Sequence, residues 1–220
     1  MKALLFDFGG TLDSDGLTWK DRFSSIYMEE GVALSPEKFD RAFYDADDNL
    51  PKRHSLEGLS LRETVRLQVR DAFANLSLPA NGVSGKIAER FADDCEFHLR
   101  RNRPLLERLA KSYKLGIVSN FYGNLQGILD AASFSDLFGV VADSAKVGHE
   151  KPSPEIFLHA AKGLGAAAAD CLMVGDSIPR DMKGAEGLGM KHALLTATPR
   201  SCCPQAWTLR RLTDLETLLS

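Results

Sequence analysis

Polar side chains follow four of the short apolar runs in this sequence, at the points where the runs end. They supply carboxylates, hydroxyl and amide donors and one cation: Asp7, Thr11, Ser119, Asn120, Lys151, Asp176 and Asp181. Phosphoryl transfer uses such a set, because it needs a nucleophile, donors for the phosphoryl oxygens and a divalent cation held by oxygen ligands. Mg²⁺ takes few protein ligands and keeps several waters, so Asp7, Asp176 and a backbone carbonyl near Gly9 could hold it.

Asp7 has the most informative surroundings in the chain. It follows the apolar run 3–6 and precedes segment 8–12, in which two glycines stand side by side. Four apolar residues predict a buried strand, and the glycines permit a sharp turn that presents the carboxylate at the strand's C-terminal end. An acid in that position is available as a nucleophile or a metal ligand.

Five apolar runs are predicted to be strands and to position these groups: 3–6, 115–118, 140–142, 171–174 and 192–195. From residue 100 onward the runs alternate with predicted helices: 104–111, one that starts at Ser153-Pro154 and stops at Gly163 or Gly165, one after Asp176, and 208–219. Strands that alternate with helices predict an α/β fold with a parallel sheet and right-handed crossovers. Ligands bind beyond the C-terminal strand ends of such sheets.

Residues 14–99 interrupt the alternation, because they contain only helical patterns, over 17–30, 36–46, 59–75 and 84–99. An insert directly after the first strand lies above the C-terminal edge of the sheet, where it could cover the site as a lid. We therefore expect a core domain formed by residues 1–13 and 100–220, and a helical domain formed by residues 14–99.

Composition describes an ordinary globular chain of 220 residues, with 44% hydrophobic and 26% charged residues. A formal net charge of −3 gives no electrostatic case for nucleic acid or an anionic membrane as partner. No apolar run has transmembrane length, and no signal peptide precedes the first strand. The four cysteines lack metal-ligand spacing, and Cys202-Cys203 is expected to lie in a loop, so a reducing, cytoplasmic setting is predicted.

With its four motifs in this order, the chain resembles the haloacid dehalogenase superfamily of aspartate-nucleophile phosphatases and their relatives. The resemblance rests on segment 7–11, on Ser119 after its strand, on segment 151–154 and on Asp176 with Asp181. It implies a Rossmann-like core, with the first strand central, and an inserted α-helical cap over residues 14–99.

The resemblance also implies roles for individual residues. Asp7 would be phosphorylated during turnover, Ser119 would bind the phosphoryl group and Lys151 would stabilise the charge on both. The implied catalytic residues are Asp7, Thr11, Ser119 and Lys151, and the implied phosphate-binding residues are Ser119, Asn120, Lys151 and Gly10. The implied Mg²⁺ ligands and their support are Asp7, the Gly9 carbonyl, Asp176 and Asp181.

Gly9 departs from the family pattern, in which phosphatases carry a second aspartate two residues after the nucleophile. That aspartate protonates the leaving alcohol and later deprotonates the attacking water. Loss of such a group costs roughly 10²–10⁴-fold in rate, most severely for alkyl phosphates with their basic leaving groups. Asp13 or Asp15, which are nearby in sequence, could take over this proton transfer, but we expect them to cap the first cap helix or to face solvent. His149 is expected in an exposed loop.

Three functions remain open from the sequence. The first is a Mg²⁺-dependent phosphatase of a small phosphorylated metabolite. The second is a dehalogenase or a phosphonate-cleaving enzyme. The carboxylates Asp176 and Asp181 argue against a dehalogenase, because halide displacement needs no Mg²⁺ ligands. Phosphonate cleavage needs a cap lysine that forms a Schiff base, and Lys20 and Lys38 are the only early candidates. The third is a binding or regulatory protein that turns over poorly. No feature of the sequence specifies an oligomeric state.

Other cap residues are assigned structural roles. Three closely spaced acids are predicted to form an acidic loop between cap helices: Asp45, Asp47 and Asp48. Trp19 and Phe23 are expected to pack within the cap.

Overall fold

A parallel sheet of six strands forms the centre of the molecule in a computed structural model, which describes residues 1–80, 82–198 and 205–219. The strands are β1 Ala3–Phe6, β2 Lys114–Ser119, β3 Val140–Asp143, β4 Cys171–Gly175, β5 Lys191–Leu195 and β6 Trp207–Leu209. Their order across the sheet is β3-β2-β1-β4-β5-β6, and every neighbouring pair is parallel. The five strands predicted from apolar runs and the central place of the first strand are confirmed.

The central strand buries both of its faces. Leu4 and Phe6 contribute to an apolar cluster on one side of the sheet, whereas Ala3 and Leu5 contribute to a second cluster on the other side. Successive strand residues point to opposite faces, so a strand covered on both sides needs the continuous apolar run seen in the sequence.

Four helices lie between β1 and β2: α1 Trp19–Glu29, α2 Pro36–Arg53, α3 Leu61–Asn75 and α4 Gly82–Leu109. Side chains that accept backbone N–H bonds begin three of them, namely Thr18, Ser35 and Ser60. Ser60 also forms a capping box with Glu63. Their apolar faces join the cluster that covers one face of the sheet, so the insert and the sheet share a core.

The remaining helices connect or follow the later strands. They are α5 Leu125–Ala131, α6 Ser144–Val147, α7 Pro154–Gly163, α8 Lys183–Gly187 and α9 Asp214–Leu219, with short helical turns at Phe8–Leu12, Ser135–Leu137, Ala168–Asp170 and Ile178–Met182. The predicted start of α7 at Pro154 and its end at Gly163 are confirmed. None of the helices in the described residues combines the length and apolar character needed to cross a lipid bilayer.

The structure corrects several predicted boundaries. The helices predicted at 84–99 and 104–111 are one helix, α4, which continues through Pro104, so the predicted domain boundary at residue 100 falls inside it. The segment 208–219 is not one helix, because β6 precedes α9. The helix predicted at 36–46 continues to Arg53. Cys202-Cys203 lies outside the described residues.

Candidate active site

Strands β1, β2 and β4 bring the predicted site residues to one edge of the sheet. Phe6 pairs in register with Ile117 on one side and with Val174 on the other, so the residues that follow these positions lie close together. The chain moves from β1 outward to β3 and then returns to the opposite side of β1 to form β4. This reversal creates the crevice at which open α/β sheets bind ligands.

Three donors bind the same oxygen of Asp7, which lies buried at the end of β1. Oδ1 accepts hydrogen bonds from the N–H of Phe8 at 2.7 Å and from the Ser119 hydroxyl at 2.8 Å. The Lys151 ammonium lies 2.8 Å from the same atom. Asp7 Oδ2 has no hydrogen bond from the described residues, so one carboxylate oxygen is held and the other is free.

Lys151 is buried between two carboxylates, because its ammonium also lies 2.7 Å from Oδ1 of Asp181. Burial opposes the charged ammonium, but the two carboxylates outweigh it and raise the Lys151 pKa, so the side chain is a fixed cation. The Asn120 amide positions this lysine, since its Oδ1 accepts from the Lys151 N–H at 2.7 Å and its Nδ2 donates to the Lys151 carbonyl at 3.1 Å.

Asp176 depends on glycine at position 10 for its place in the site. Gly10 has a φ of +86°, and a Cβ there would lie 2.6 Å from Oδ2 of Asp176, so no other residue fits without displacing the carboxylate. The Gly10 N–H donates to Asp13 at 2.7 Å, and the Thr11 hydroxyl approaches Asp176 at 3.5 Å. Thr11 is fully buried, so its hydroxyl is held next to the Asp176 carboxylate.

The charges at this edge of the sheet fit a divalent cation. Ligand oxygens of Asp7, Asp176 and Asp181 all lie within 4.8 Å of one another. Within the part of the chain that the structure describes, the Lys151 ammonium is the one cation placed between carboxylates of this group. Burial, followed by repulsion from Asp7 and Asp181, raises the pKa of Asp176 well above its usual value. Three hard oxygen donors with uncompensated negative charge match the preference of Mg²⁺.

A cavity of about 310 Å³ lies directly over these groups. Its floor consists of Asp7, Gly9, Ser119, Asn120, Lys151 and Asp176, and its roof consists of residues from α1 and α2, namely Trp19, Lys20, Asp21, Phe43, Tyr44 and Asp47. Thr18, Phe121, Tyr122 and Arg180 complete the rim. The structure therefore brings six of the predicted site residues to one cavity, while Gly10, Thr11 and Asp181 lie outside its lining.

Trp19 occupies the space beside Gly9. A Cβ on Gly9 would lie 3.2 Å from the indole nitrogen of Trp19, so any larger residue at position 9 must displace the ring. The indole N–H donates to Asp13 at 2.6 Å, and the ring packs edge-on against Phe91 and Phe121. Trp19 thus lines the cavity as well as packing within the helical insert.

Asp13 and Asp15 do not have the roles predicted from sequence. The helix α1 is capped by Thr18, and Asp13 is fully buried. Its carboxylate accepts from Gly10, Trp19 and Arg22 and also from the Cys95 thiol. Asp15 instead pairs with both terminal nitrogens of Arg101, each at 2.7 Å. Asp13 therefore binds the turn after β1 and the buried Arg22 instead of capping α1, and Asp15 binds Arg101.

Asp47 was predicted in a loop but lies in the middle of α2. Its carboxylate lines the roof, whereas the neighbouring Asp48 is exposed and Asp45 pairs with Arg53. Phe39 and Phe43 precede Asp47 at intervals of four residues and are both buried. That interval places all three on one face of a helix, and it is the signal that could have identified Asp47 from the sequence.

Comparisons with known proteins agree with this geometry. A family model described as haloacid dehalogenase-like hydrolase matches residues 1–189. Haloacid dehalogenase-like hydrolase domain-containing protein 3 of Danio rerio is 26% identical over 89% of this chain and 85% of its own length. The pyrimidine 5'-nucleotidase YjjG of Escherichia coli (strain K12) is 32% identical over 52% of this chain and 53% of its own length.

A solved structure extends the agreement to the fold. The HAD phosphatase from Thermococcus onnurineus has a TM-score of 0.58 and 25% sequence identity, over 100% of this chain and 98% of the other. The structural match covers the whole of this chain, and the family model covers residues 1–189, so the similarity extends well beyond the four motifs. The chain belongs to the haloacid dehalogenase-like hydrolase family.

Proposed function

We propose that the protein is a Mg²⁺-dependent phosphatase of a small phosphorylated metabolite and that it acts through an aspartyl-phosphate at Asp7. The observation that supports this most strongly is the placement of Asp7, whose Oδ1 is held by three donors while Oδ2 is free beside two further carboxylates. The pyrimidine nucleotidase and the phosphatase among the similar proteins point to the same substrate class.

In this proposal, Asp7 Oδ2 attacks the phosphorus atom. Ser119 and Lys151 already bind the other oxygen of Asp7, so they can also bind the phosphoryl oxygens that approach it. Asn120 keeps Lys151 in position through two hydrogen bonds. Preorganised donors of this kind lower the barrier because they need no reorganisation during the reaction.

Asp7, Asp176, Asp181 and the Gly9 carbonyl are the groups that we assign to the metal. Bound Mg²⁺ would reduce the repulsion between an anionic nucleophile and an anionic phosphate. We assign the floor to a core domain formed by residues 1–13 and 100–220, and the roof to a cap formed by residues 14–99. We also propose a cytoplasmic location.

The alternative activities have less support from the site. Halide displacement needs no cluster of three carboxylates, and the cluster is present. Phosphonate cleavage through a Schiff base needs a neutral lysine, but the hydrogen bond that the Lys20 ammonium donates to Asp40 raises the pKa of Lys20 and favours its charged form. Lys20 is therefore a cation of the roof, where it suits an anionic substrate.

The proposal is tested by phosphate release from aryl, acyl and alkyl phosphates with Mg²⁺. We expect Asp7→Asn to lower the rate by more than about 10³-fold, because the amide is not a competent nucleophile, and to leave the fold intact by circular dichroism. Asp48→Asn removes an exposed carboxylate and is the matched control. An active Asp7→Asn variant contradicts the proposal, halide release from a 2-haloacid supports a dehalogenase, and phosphate binding without turnover supports a binding protein.

A further inference from the structure

We propose that Asp47 on α2 supplies the proton transfer that Gly9 cannot, as the general acid and then the general base of the reaction. This inference rests on the phosphatase function proposed above. It assigns a catalytic role to a residue of the roof, outside all four motifs, and it predicts that alkyl phosphates are substrates despite the glycine at position 9.

The Asp47 carboxyl group lines the same cavity as Asp7. Because Asp47 belongs to the roof and Asp7 to the floor, we expect the leaving group of a phosphate attacked by Asp7 to lie on the Asp47 side of the cavity. Asp47 Oδ1 accepts a hydrogen bond from the Gln68 amide at 2.8 Å and another from the Tyr122 hydroxyl. Its Oδ2 has no partner among the described residues, so that oxygen is available to a ligand in the cavity.

The two donors also determine which oxygen carries the proton. In a protonated carboxyl group the carbonyl oxygen is the stronger acceptor, and here both donors bind Oδ1. The proton is therefore expected on Oδ2, the oxygen without a protein partner. Gln68 is buried on α3 and Tyr122 follows β2, so the carboxyl group is fixed from the helical insert and from the sheet.

The electrostatic surroundings favour transfer near neutral pH. Burial raises the pKa of Asp47 to about 6, the repulsion from Asp48 adds to this, and the Tyr122 hydrogen bond and the Arg180 charge oppose it. The pKa of Tyr122 is raised well above its usual value by burial, so its hydroxyl remains a donor. A carboxyl group with a pKa near the working pH can donate a proton and then regain one.

Other acids near the site are less suitable. Asp13 is fully buried and accepts bonds from four donors, and Asp15 is paired with Arg101. Asp21 lines the cavity but is exposed and accepts the Thr18 hydroxyl at 2.8 Å. His149 is exposed and does not belong to the cavity lining.

The proposed steps balance in atoms and charge. Asp7 Oδ2 attacks phosphorus, the bond from phosphorus to the leaving oxygen breaks, and Asp47 gives its proton to that oxygen. An alcohol leaves, with an aspartyl-phosphate at Asp7 and a carboxylate at Asp47. Water then attacks the phosphorus, Asp47 takes a proton from that water, and the bond between phosphorus and Asp7 breaks. Inorganic phosphate leaves and both side chains return to their starting states.

The test compares leaving groups in the Asp47→Asn variant of the full-length protein with Mg²⁺. Asparagine retains the oxygen that accepts from Gln68 and Tyr122, but it cannot donate and regain the proton. We expect kcat/KM, which reports the steps up to release of the alcohol, to fall about 10²-fold or more for glycerol phosphate and to change less than about 3-fold for p-nitrophenyl phosphate. Hydrolysis of the aspartyl-phosphate is common to both esters, so its slower rate in the variant lowers kcat for both. The wild-type rate on glycerol phosphate should fall as pH rises above about 6, and the variant should lose this dependence.

Asp48→Asn is the matched control, because it removes the adjacent exposed charge and leaves Asp47 in place. It should change both rates less than about 2-fold. Equal losses of kcat/KM on both substrates in Asp47→Asn, or no loss, overturn the inference while the phosphatase function stands. A wild-type protein that hydrolyses p-nitrophenyl phosphate but not glycerol phosphate also overturns the inference. A wild-type protein that hydrolyses neither ester overturns both.

Discussion

The floor and the roof of the cavity hold their charged groups in different ways. In the floor, the Lys151 ammonium lies between the carboxylates of Asp7 and Asp181. Ser119 donates a hydrogen bond to Asp7, and Asn120 accepts one from the Lys151 backbone. The roof is largely aromatic, through Trp19, Phe43 and Tyr44, and its acid Asp47 keeps one oxygen free of protein partners.

This difference separates two tasks. The floor is assembled before any substrate arrives, because its groups bind one another, and it suits a step common to every phosphate ester. The roof offers rings, the Lys20 ammonium and the Asp47 carboxyl to the part of a substrate that varies. We therefore expect changes in the floor to affect all substrates alike, and changes in the roof to discriminate among leaving groups.

The largest effect on stability is expected at Asp13, which joins the floor to the roof. Asp13→Ala leaves the Arg22 guanidinium, only 5% exposed, without one of its two carboxylate partners. Removal of one partner from a buried pair costs about 3 kcal/mol. In a chain of this size that loss lowers Tm by about 6–12 °C in thermal unfolding.

Asp15→Ala is the control for this prediction, since its pair with Arg101 is partly exposed. The expected loss is below about 1 kcal/mol. Equal losses of stability in the two variants would show that Asp13 does not hold the roof in place. The contrast drawn between the floor and the roof would then fail.

Mg²⁺ is expected to have a smaller effect on stability, confined to the floor. A ligand at 100 times its Kd stabilises the folded state by about 2.7 kcal/mol, or about 5–10 °C in Tm here. Because burial and like charge raise the folded-state pKa of Asp176, its contribution is fullest below the unfolded pKa of about 4 and is lost as pH rises. The contribution of Asp176 to the stability of metal-free protein should therefore fall as pH rises above about 4.

Asp176→Asn provides the comparison, measured by unfolding with a chelator and with Mg²⁺ at two pH values. The variant should lack the part of the pH dependence that Asp176 contributes and most of the stabilisation by Mg²⁺. A full Mg²⁺ effect in Asp176→Asn would place the metal elsewhere.

The smallest effect is expected for Gly9→Asp. On the sequence alone, this change should restore an acid and raise the activity on alkyl phosphates. With Asp47 in that role, the rate on glycerol phosphate should change less than about 3-fold, although Trp19 must move by a few tenths of an ångström. In Asp47→Asn, by contrast, Gly9→Asp should recover part of the lost alkyl activity, and kcat for both ester types in the double variant measures this.

Much of the floor could be predicted because it follows from local patterns. Buried apolar runs identified β1 to β5, and the residues that follow β1, β2 and β4 necessarily meet at one edge of a parallel sheet. The short strand β6 was missed, since Trp207–Leu209 has only three residues and lies at the sheet's edge.

The roof was harder to predict because its contacts join residues that are distant in sequence. Asp47 meets Tyr122 across 75 positions, and no local pattern reports such a contact. Asp13 was expected at a helix start, where aspartate is common, but the buried Arg22 gives it a stronger partner. Pro104 was expected in the first turn of a new helix, whereas it lies within α4.

The segment in which the chain leaves the sheet after β1 contacts the part of α4 through which it returns. Asn102 donates to the Leu12 carbonyl at 2.9 Å, and Arg101 pairs with Asp15, three residues after Leu12. The two ends of the insert therefore lie side by side at the sheet. Because the entropy cost of closing a loop grows slowly with its length, a longer insert between these ends would cost little additional free energy. The insert can therefore be lengthened or replaced, and the roof of the cavity changed with it, while the residues at the strand ends stay in place.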